Sequence, residues 1–488
     1  MSATVLIVLS IFMPLVAGLV LRAFDKEPNI RDGFSLLVAA GTFACVCSLT
    51  PMVMAGERPA FQLLEMLPGL SLAFEIEPLG MLFALIASGL WIITTVYAIG
   101  YMRGHHESNQ TRFFTCFAVA IGAAVGAAFS ANLLTLFTCY ELLSVSTFPL
   151  VAHHQSAESR KAGRIYLGIL LTSSVLFFLP AIIWTWHLTG TTDFVAGGIL
   201  MGKIPDGAVP LLLALFIFGA GKAAVMPLHR WLPAAMVAPT PVSALLHAVA
   251  VVKAGVFTVL KVGIYIFGVE KLSISETTDW VVWIACFSIL FASLIAMTKD
   301  NLKARLAYST ISQLAYVVLG FALANSLGIL GGTLQIITHA FGKITLFMCA
   351  GSIYVATKKT NISDMRGLGR VMPITFLSFL IGAISIIGLP PLGGSWSKWY
   401  LILASLEAEK QFVVIVLLIS SLLNIGYLLP LVARGFFLKP APEPENKRFS
   451  EPNLLVWLPP AITAAISFLL FFYMDHIRNF IVEFGLVN

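Results

Sequence analysis

The sequence predicts an all-α polytopic membrane protein with about fourteen transmembrane helices. Of its 488 residues, 58% are hydrophobic and 11% are charged, whereas average soluble domains contain about 25% charged residues. The mean hydropathy is +0.92. Short polar segments divide the chain into apolar runs of about 20 residues, the length that crosses a hydrocarbon core.

Windows of about 20 residues give the predicted spans in order. They begin near Ala3, Gly33, Leu79, Phe113, Leu133, Arg164, Ala208, Pro241, Asp279, Arg305, Ser326, Met372, Phe412 and Asn453. The first run has no basic segment before it and no small-residue cleavage site, so we expect it to be retained as span one.

The basic residues between the spans predict the orientation. If both termini are external, twenty of the thirty lysines and arginines fall in cytoplasmic loops, five in external segments and five within spans. Because Lys and Arg are enriched in cytoplasmic loops, we expect both ends of the chain on the external side. This distribution accounts for the net charge of +6 without a nucleic-acid-binding surface.

Six charged residues fall inside the predicted spans. A charge at the bilayer centre costs at least about 2.5–3.5 kcal/mol, so such a residue indicates an ion or proton path. The six are Lys222, Lys253, Lys261, Lys343, Lys398 and Glu141.

Two spans contain helix breakers next to one of these lysines. Span seven holds Lys222 and Pro227 in GAGKAAVMPLHRWLP, and span twelve holds GLPPLGG before Lys398. Proline removes a backbone donor and clashes with the preceding turn, so we expect both helices to be interrupted. A packing kink is the alternative for either proline alone.

The two breaks lie five spans apart, which predicts two inverted five-helix repeats. Interrupted helices at corresponding positions of inverted halves indicate a transport site near the midplane. The predicted organisation is residues 1–112 for spans one to three, 113–268 for the first repeat, 278–438 for the second, and 453–488 for span fourteen and the tail.

Depth estimates place the charged residues in one layer. Glu141 is about nine residues into span five, or roughly 14 Å deep at 1.5 Å per residue. Similar counts place Lys253 and Lys343 near mid-depth, Lys222 nearer the cytoplasmic face and Lys398 in the external half. Such a layer is the arrangement expected of a proton relay.

Spacing along the helices suggests partners within this layer. His339 and Lys343 are four residues apart, so they share a face and can exchange a proton. His247 and Lys253 are six apart and share a face only if span eight is distorted; otherwise His247 is a core residue. Lys261 is near the external end, where we expect it to extend to the headgroups.

Glu141 is the one acid among the six charges, and we expect it to pair with Lys222 in the same repeat. A lysine there is a switchable proton carrier, because a nearby carboxylate decides which protonation form is favoured. A static ion pair between helices is the alternative, but it does not account for five bases against one acid.

The sequence predicts no cofactor and no metal site. The six cysteines lie in apolar runs without a CxxC motif, and no Gly-rich nucleotide loop follows a strand. Sodium ligands are not identifiable either, since hard cations need oxygen ligands and the spans hold one carboxylate. We therefore expect protons to be the ion that this chain carries.

Five motifs resemble the antiporter-like subunits shared by respiratory complex I, membrane hydrogenases and Mrp cation/proton antiporters. They are NLLTLFTCYELLS around Glu141, GAGKAAVMPLHRWLPAAMVAPTPVSALLHAVAVVKAG from Gly219, DNLKARLAYSTISQLAY from Asp300, THAFGKITLF from Thr338 and GLPPLGGSWSKW from Gly388. The resemblance runs from span four to span thirteen. It implies fourteen helices with two inverted repeats.

The resemblance also implies roles for single residues. Glu141 and Lys222 match the glutamate–lysine pair of the first half-channel, Lys253 the central lysine and Lys398 the terminal lysine. Positions on the connecting axis are matched by His247, His339 and Lys343, and a position that is commonly arginine is matched by Lys261. One departure is Ser395–Trp396, where many relatives have Gly-Phe.

Within this family the chain is most similar to the D component of Mrp-type antiporters. It stops about fourteen residues after span fourteen, so we expect neither the lateral helix of the distal complex I subunit nor the extra spans of the large Mrp subunit. The lysine in span twelve also differs from the glutamate usual in the middle complex I subunit. The resemblance implies partner membrane subunits and the bacterial cytoplasmic membrane.

The expected function is that of a proton-translocating subunit of a sodium or other monovalent cation/proton antiporter, rather than an enzyme. The alternative is a proton-pumping membrane subunit of a complex I-like or hydrogenase-type redox complex, with its redox centre in another subunit. Two further classes stay open: a scaffold that transports nothing, and a solute or quinone transporter, which needs an apolar lateral pocket.

Overall fold

The computed structural model describes residues 1–67, 69–274, 277–439 and 450–483, apart from the side chains of His247, Ile274 and Glu483. These residues form a bundle of helices, as the predicted fold class requires. The first part comprises α1 (Ala3–Val20), α2 (Pro28–Met54), strands β1 (Ala60–Leu67) and β2 (Leu70–Glu75), α3 (Pro78–Gly104), α4 (Gln110–Ala128) and α5 (Leu133–Val151).

The middle of the chain is more broken. It comprises α6 (Ala157–Ser173), a π-helical turn at Ser174–Phe178, α7 (Leu179–Thr189), α8 (Val209–Gly219), α9 (Trp231–Ala234), α10 (Thr240–Ala244), a π-helical turn at Leu245–Val249, α11 (Val251–Val262), another at Gly263–Phe267, and α12 (Val269–Ile274). The last part comprises α13 (Asp279–Thr298), α14 (Leu302–Ala322), α15 (Ser326–Thr357), α16 (Pro373–Ile387), α17 (Gly394–Glu407), α18 (Gln411–Phe437), α19 (Leu454–Phe472) and α20 (Met474–Glu483).

The predicted spans coincide with these helices. Among the described residues, ten helices are long and apolar enough to cross a membrane. The four other predicted spans correspond to α8 and the turns after it, to α10 with α11, to the more polar α14, and to α16 with α17. Several boundaries follow from local sequence: Pro78 and Pro373 stand in the first turn of α3 and α16, and Asn132 caps α5 by accepting from Thr135 N at 2.8 Å.

Span seven is interrupted, as predicted, but earlier than its proline. Helix α8 ends at Gly219, and Lys222 lies in a 3₁₀ turn at Gly221–Ala223, ahead of the cis Met226–Pro227 bond. Side chains bind the backbone groups that the break releases: the Lys222 N–H donates to Tyr140 Oη at 2.9 Å, and Trp231 Nε1 donates to Gly221 O at 3.0 Å. Lys222 therefore lies inside the break and not before it.

Span twelve is interrupted between α16 and α17. Gly388, with φ of +86°, ends α16, and the Pro390–Pro391 bond is cis. Helix α17 begins at Gly394, so Lys398 follows the break, as predicted.

Span eight is also interrupted, which the sequence analysis allowed only as a possible distortion. The π-helical turn at Leu245–Val249 precedes α11, and Ala250 between them has φ −120° and ψ −66°. His247 is in this turn, and its side chain is outside the described part of the structure. Helix α11 then packs directly on the Lys222 turn, because a Cβ at Gly255 would overlap Ala223 N and the carbonyl carbon of Lys222.

A β-hairpin between spans two and three was not anticipated. Strands β1 and β2 are antiparallel, and β1 is largely exposed. The hairpin is anchored to the start of α5, where Ala73 N donates to Thr135 Oγ1 at 3.0 Å and Asn132 Nδ2 donates to Ser71 O at 2.9 Å.

The expectation that Lys261 extends to the headgroups is wrong. Its side chain is fully buried, and its Nζ forms an ion pair with Glu77 Oε1 at 3.2 Å and donates to Ser130 O at 2.7 Å. Glu77 also caps α3, accepting from Leu79 N at 2.7 Å, and it accepts from Tyr265 Oη at 2.9 Å. Lys261 thus joins α11 to α3 and to the α4–α5 connection, a role that the carbonyl and carboxylate acceptors make possible.

We expect Glu77→Gln to destabilise the protein by about 3–5 kcal/mol, because it leaves the Lys261 ammonium buried without its counter-ion while an amide oxygen still caps α3. Asp206→Asn is the matched control, since Asp206 pairs with Lys271 and its side chain is 73% exposed. Such exposed pairs contribute about 0–1 kcal/mol. Thermal unfolding of the purified proteins in detergent measures the stability of the two variants. Equal melting temperatures for Glu77→Gln and Asp206→Asn would contradict the role of Glu77 as the counter-ion of Lys261.

Candidate functional site

Lys222 and Glu141 come together at α5 without forming an ion pair. The Lys222 side chain is fully buried, and its Nζ donates to Tyr140 O at 2.8 Å and to Ser144 Oγ at 2.6 Å. It also lies 3.1 Å from the centre of the Tyr140 ring. Both Glu141 oxygens are buried and accept no hydrogen bond within the described structure. The predicted pair is therefore open in this structure, with the lysine held by residues on either side of the glutamate.

Lys253 contacts His339 on a helix distant in sequence. Their side chains are almost completely buried, and Lys253 Nζ lies 2.7 Å from His339 Nδ1. His339 and Lys343 are one turn apart on the continuous helix α15, as their spacing predicts. The Lys253–His339 contact was not predicted from the sequence, because spacing along one helix carries no information about which residue of another helix it faces.

A chain of polar side chains leads from Lys343 towards Lys398. Lys343 Nζ donates to Ser309 Oγ at 2.5 Å, and Tyr427 Oη donates to the same oxygen at 2.9 Å. Tyr427 is hydrogen-bonded to Asn424. When the Asn424 amide is turned so that its neighbours are satisfied, its oxygen accepts from Lys398 Nζ at 3.2 Å.

Lys398 has further acceptors at the break in span twelve. Its Nζ donates to Ile387 O at 2.7 Å, a carbonyl freed at the end of α16, and to Ser421 Oγ at 3.0 Å. The turned Asn424 amide also accepts from Gln313 Nε2 at 3.2 Å. Within the described structure, the hydrogen-bond acceptors of this ammonium are neutral oxygens, and the centre of the Tyr316 ring lies 5.0 Å from it.

The sequence analysis missed the polar residues that connect the lysines. Ser309 and Gln313 lie one turn apart in span ten, and Asn424 and Tyr427 are three residues apart in span thirteen. A search for polar residues at helical spacing inside apolar runs would have found both pairs.

The four lysines share one electrostatic property. In the described part of the chain no carboxylate lies within 4 Å of the ammonium groups of Lys222, Lys253, Lys343 or Lys398. Their hydrogen-bond contacts include an imidazole and several hydroxyl groups. Like the lysine amines, these groups can accept and give up protons. Among the described residues, no group of three or more His, Cys, Asp or Glu side chains is placed to hold a metal ion.

An apolar groove borders the last lysine. A cavity of about 860 Å³ lies beside the span-twelve break, and its lining includes Leu389, Trp396, Trp399, Leu422 and Lys398. This is the kind of feature that a quinone or solute transporter would need. Ser309, Asn424 and Tyr427, which form the polar connection to Lys343, are not among the residues that line this cavity.

Comparisons with known proteins agree with the resemblance in the motifs. Residues 130–424 match the family described as NADH:quinone oxidoreductase/Mrp antiporter, transmembrane, and residues 68–114 match the N-terminus of chain 5 of complex I. NADH-quinone oxidoreductase subunit N of Desulforudis audaxviator is 31% identical over 443 residues, covering 90% of this chain and 87% of the relative. A probable K⁺/H⁺ antiporter A/B component of Rhizobium meliloti is 31% identical over 396 residues, covering 80% of this chain but 38% of the relative.

Two solved structures share the fold across almost the whole chain. A chain of the Mrp complex from Dietzia sp. DQ12-45-1b superposes with a TM-score of 0.86 at 21% identity, covering 98% of this chain and 96% of the other. A chain of the membrane-bound sulfane sulfur reductase, an archaeal respiratory complex, gives 0.87 at 23% identity, with 99% and 97% covered. The protein therefore belongs to the family of antiporter-like membrane subunits shared by NADH:quinone oxidoreductases and Mrp antiporters.

Proposed function

We propose that this chain is the proton-translocating subunit of a multisubunit monovalent cation/proton antiporter. The observation that carries the proposal is the hydrogen-bonded connection from Lys343 through Ser309, Tyr427 and Asn424 to Lys398. Lys253 contacts His339, which lies one turn before Lys343 on α15, next to the start of this connection. The Rhizobium relative is named as part of a K⁺/H⁺ antiporter, so sodium is one cation among those to be tested.

The route uses the different abilities of its polar groups. Hydroxyls such as those of Ser309 and Tyr427 can accept one proton while donating another, so they can pass a proton on. An amide cannot do this without changing tautomer. We therefore assign Asn424 to holding Tyr427 and Lys398 in position, and the last transfer to Lys398 to a water molecule beside the amide.

Glu141 would control the loading of the row. When its carboxylate approaches Lys222, the charged form of that lysine is favoured, and like-charge repulsion drives a proton at Lys253 or Lys343 towards Lys398. When the pair is open, as here, Lys222 is held by neutral oxygens and can release its proton. One charge moved through 100 mV is worth about 2.3 kcal/mol, which is comparable to one to two pKa units.

The two breaks support the proposed repeats 113–268 and 278–438, because Lys222 and Lys398 both lie at interruptions five spans apart. The proposed orientation places the loops that hold Arg103 and Lys303 on the cytoplasmic side, with external termini. The place of His247 on the axis stays a prediction, because its side chain lies outside the described structure, and so does the similarity to the Mrp D component.

A second candidate function is favoured by the match to NADH-quinone oxidoreductase subunit N, because that alignment covers 90% of this chain. In that case the chain would move protons as a membrane subunit of a complex I-like or hydrogenase-type redox complex. The identity of the neighbouring genes separates the two: small antiporter subunits in one case, and redox subunits with cysteine cluster motifs in the other.

We expect Lys398→Ala to abolish proton movement while the complex still assembles, because it removes the terminal proton acceptor of the row. Cation-driven pH changes in membrane vesicles measure the proton movement, and expression of the variant is confirmed in the same vesicles. Lys410→Ala is the matched control, since Lys410 pairs with Asp279 at the surface. Normal transport by Lys398→Ala would favour the scaffold, and protection of the Lys398 groove from labelling by quinone would favour the quinone transporter.

We expect Glu141→Gln to abolish cation-dependent proton flux, because glutamine keeps the shape of the side chain but cannot carry the charge that switches Lys222. The control is Glu407→Gln, an exposed position on α17. Flux assays in the same vesicles compare the two, and flux retained by Glu141→Gln would count decisively against a role for this carboxylate.

Tyr427→Phe should lower proton flux at least about tenfold, since one hydroxyl connects Ser309 to Asn424 and a positioned proton-transfer group contributes about 10²–10⁴. Tyr473→Phe, at a tyrosine that is 58% exposed, should leave the flux unchanged. The rate of vesicle acidification measures the proton flux of both variants. An unaltered rate in Tyr427→Phe would show that the proton route does not pass through Tyr427.

A further inference from the structure

A carboxylate outside the spans lies between two cavities on the face where α3 and α15 end. Glu107 follows α3, and its side chain is 8% exposed. It lines an outer cavity of about 660 Å³, together with Asn29 and Arg103. It also lines an inner cavity of about 220 Å³, together with Tyr101 and Thr240. The same carboxylate thus borders both cavities.

Three histidines surround the Glu107 carboxylate without hydrogen-bonding to it. His105 Nε2 lies 3.7 Å from Oε1, and His154 Nδ1 and His153 Nε2 lie 3.5 and 3.9 Å from Oε2. These separations exceed hydrogen-bond length. The carboxylate is therefore enclosed by titratable rings and yet not held by them.

The neighbouring charges come from every element around the two cavities. Lys358 Nζ lies 2.6 Å from His105 Nδ1, and Arg112 Nη2 donates to His153 O at 2.7 Å. The other charged or titratable groups that line the cavities are Lys303, Lys359 and Tyr354 on the inner side, and Asp25, Arg31, Arg103 and His106 on the outer side.

Two of the rings next to the carboxylate have lowered pKa values. Burial lowers the pKa of His105, and the positive charge of Lys358 lowers it further. Burial together with Arg112 lowers the pKa of His153 to about 4. Both shifts favour the uncharged ring over the imidazolium ion.

The inner cavity ends where span eight begins. Its lining residue Thr240 starts α10, and Thr240 Oγ1 lies 3.4 Å from Tyr101 Oη. From Thr240 the chain passes through the π-helical turn at Leu245–Val249 into α11, which holds Lys253. The cavity thus adjoins the start of the interrupted helix that holds the central lysine.

We propose that Glu107 is the proton-entry site of this subunit, binding a proton from the outer cavity and delivering it through the inner cavity towards span eight. The inference rests on the proposed function. The inference adds to the proposed relay a group at which protons enter, on the face that bears the basic loops. The histidines tune the site: protonating His154, whose side chain is 40% exposed, would place a positive charge beside the carboxylate and weaken its hold on a proton.

The test measures the initial rate of cation-driven proton movement by the complete complex in vesicles, with pH varied from about 6 to 9 on the basic-loop side. We expect Glu107→Gln to lower the rate at least about tenfold at pH 8 and less at pH 6, where protons are abundant. Glu107→Asp should restore more than half of the rate. His154→Gln should shift the pH profile. Glu158→Gln, an exposed glutamate on the same face, should behave like the wild type.

The outcomes separate this inference from the proposed function. Wild-type rates in Glu107→Gln at every pH, alongside an inactive Lys398→Ala, would overturn the entry site and leave the relay intact. A change confined to the apparent KM for the driving cation would overturn it as well, since Glu107 would then bind the cation. If Glu107→Gln fails to assemble, Glu107→Asp and His154→Gln decide: unaltered pH profiles in both would overturn the inference. A wild-type complex that moves no protons would remove the proposed function and the entry site together.

Discussion

Three buried lysine ammonium groups in this protein donate to backbone carbonyl oxygens of other segments, and these bonds link neighbouring membrane helices. Within a bilayer, polar backbone groups and charges must find partners inside the protein. Lys398 donates to Ile387 O at the break in span twelve, Lys222 to Tyr140 O, and Lys261 to Ser130 O beyond the end of α4. At the break in span twelve the interrupted helix and the buried lysine thus satisfy each other, because the carbonyl freed at the end of α16 accepts from Lys398.

The type of acceptor separates the lysines into two kinds. Lys261 has a carboxylate partner, Glu77, which is itself fixed by capping α3 and by Tyr265. Removing its proton would leave that carboxylate as an unpaired buried charge, so this lysine is suited to holding helices together. Lys222 and Lys398 donate hydrogen bonds to neutral oxygens and face the rings of Tyr140 and Tyr316 in the described structure, so losing a proton leaves no buried carboxylate without its counter-ion.

The sequence predicted the features that depend on residues close together in the chain. Apolar run length located the spans, and proline with glycine located the breaks beside Lys222 and Lys398. Contacts between helices were not accessible in this way, because the rotation of one helix against another is set by packing. This is why the Lys253–His339 contact and the Tyr427 connection were missed and why Lys261 was misplaced. Glu77 was overlooked because it precedes span three by two residues, although Glu before Pro78 is a helix-start signal.

The packing at Gly255 connects the two halves of the proposed row. Because no Cβ fits between Gly255 and the backbone of the Lys222 turn, α11 and that turn are in direct contact. Protein interiors are close-packed, so a displacement of one of two touching backbones must be taken up by the other. Lys253 stands two residues before Gly255 on α11. A change in the position of the Lys222 turn, such as closure towards Glu141, would therefore be transmitted to the bond between Lys253 and His339. Glycine at this one position permits the backbone contact through which a movement of the Lys222 turn would reach α11.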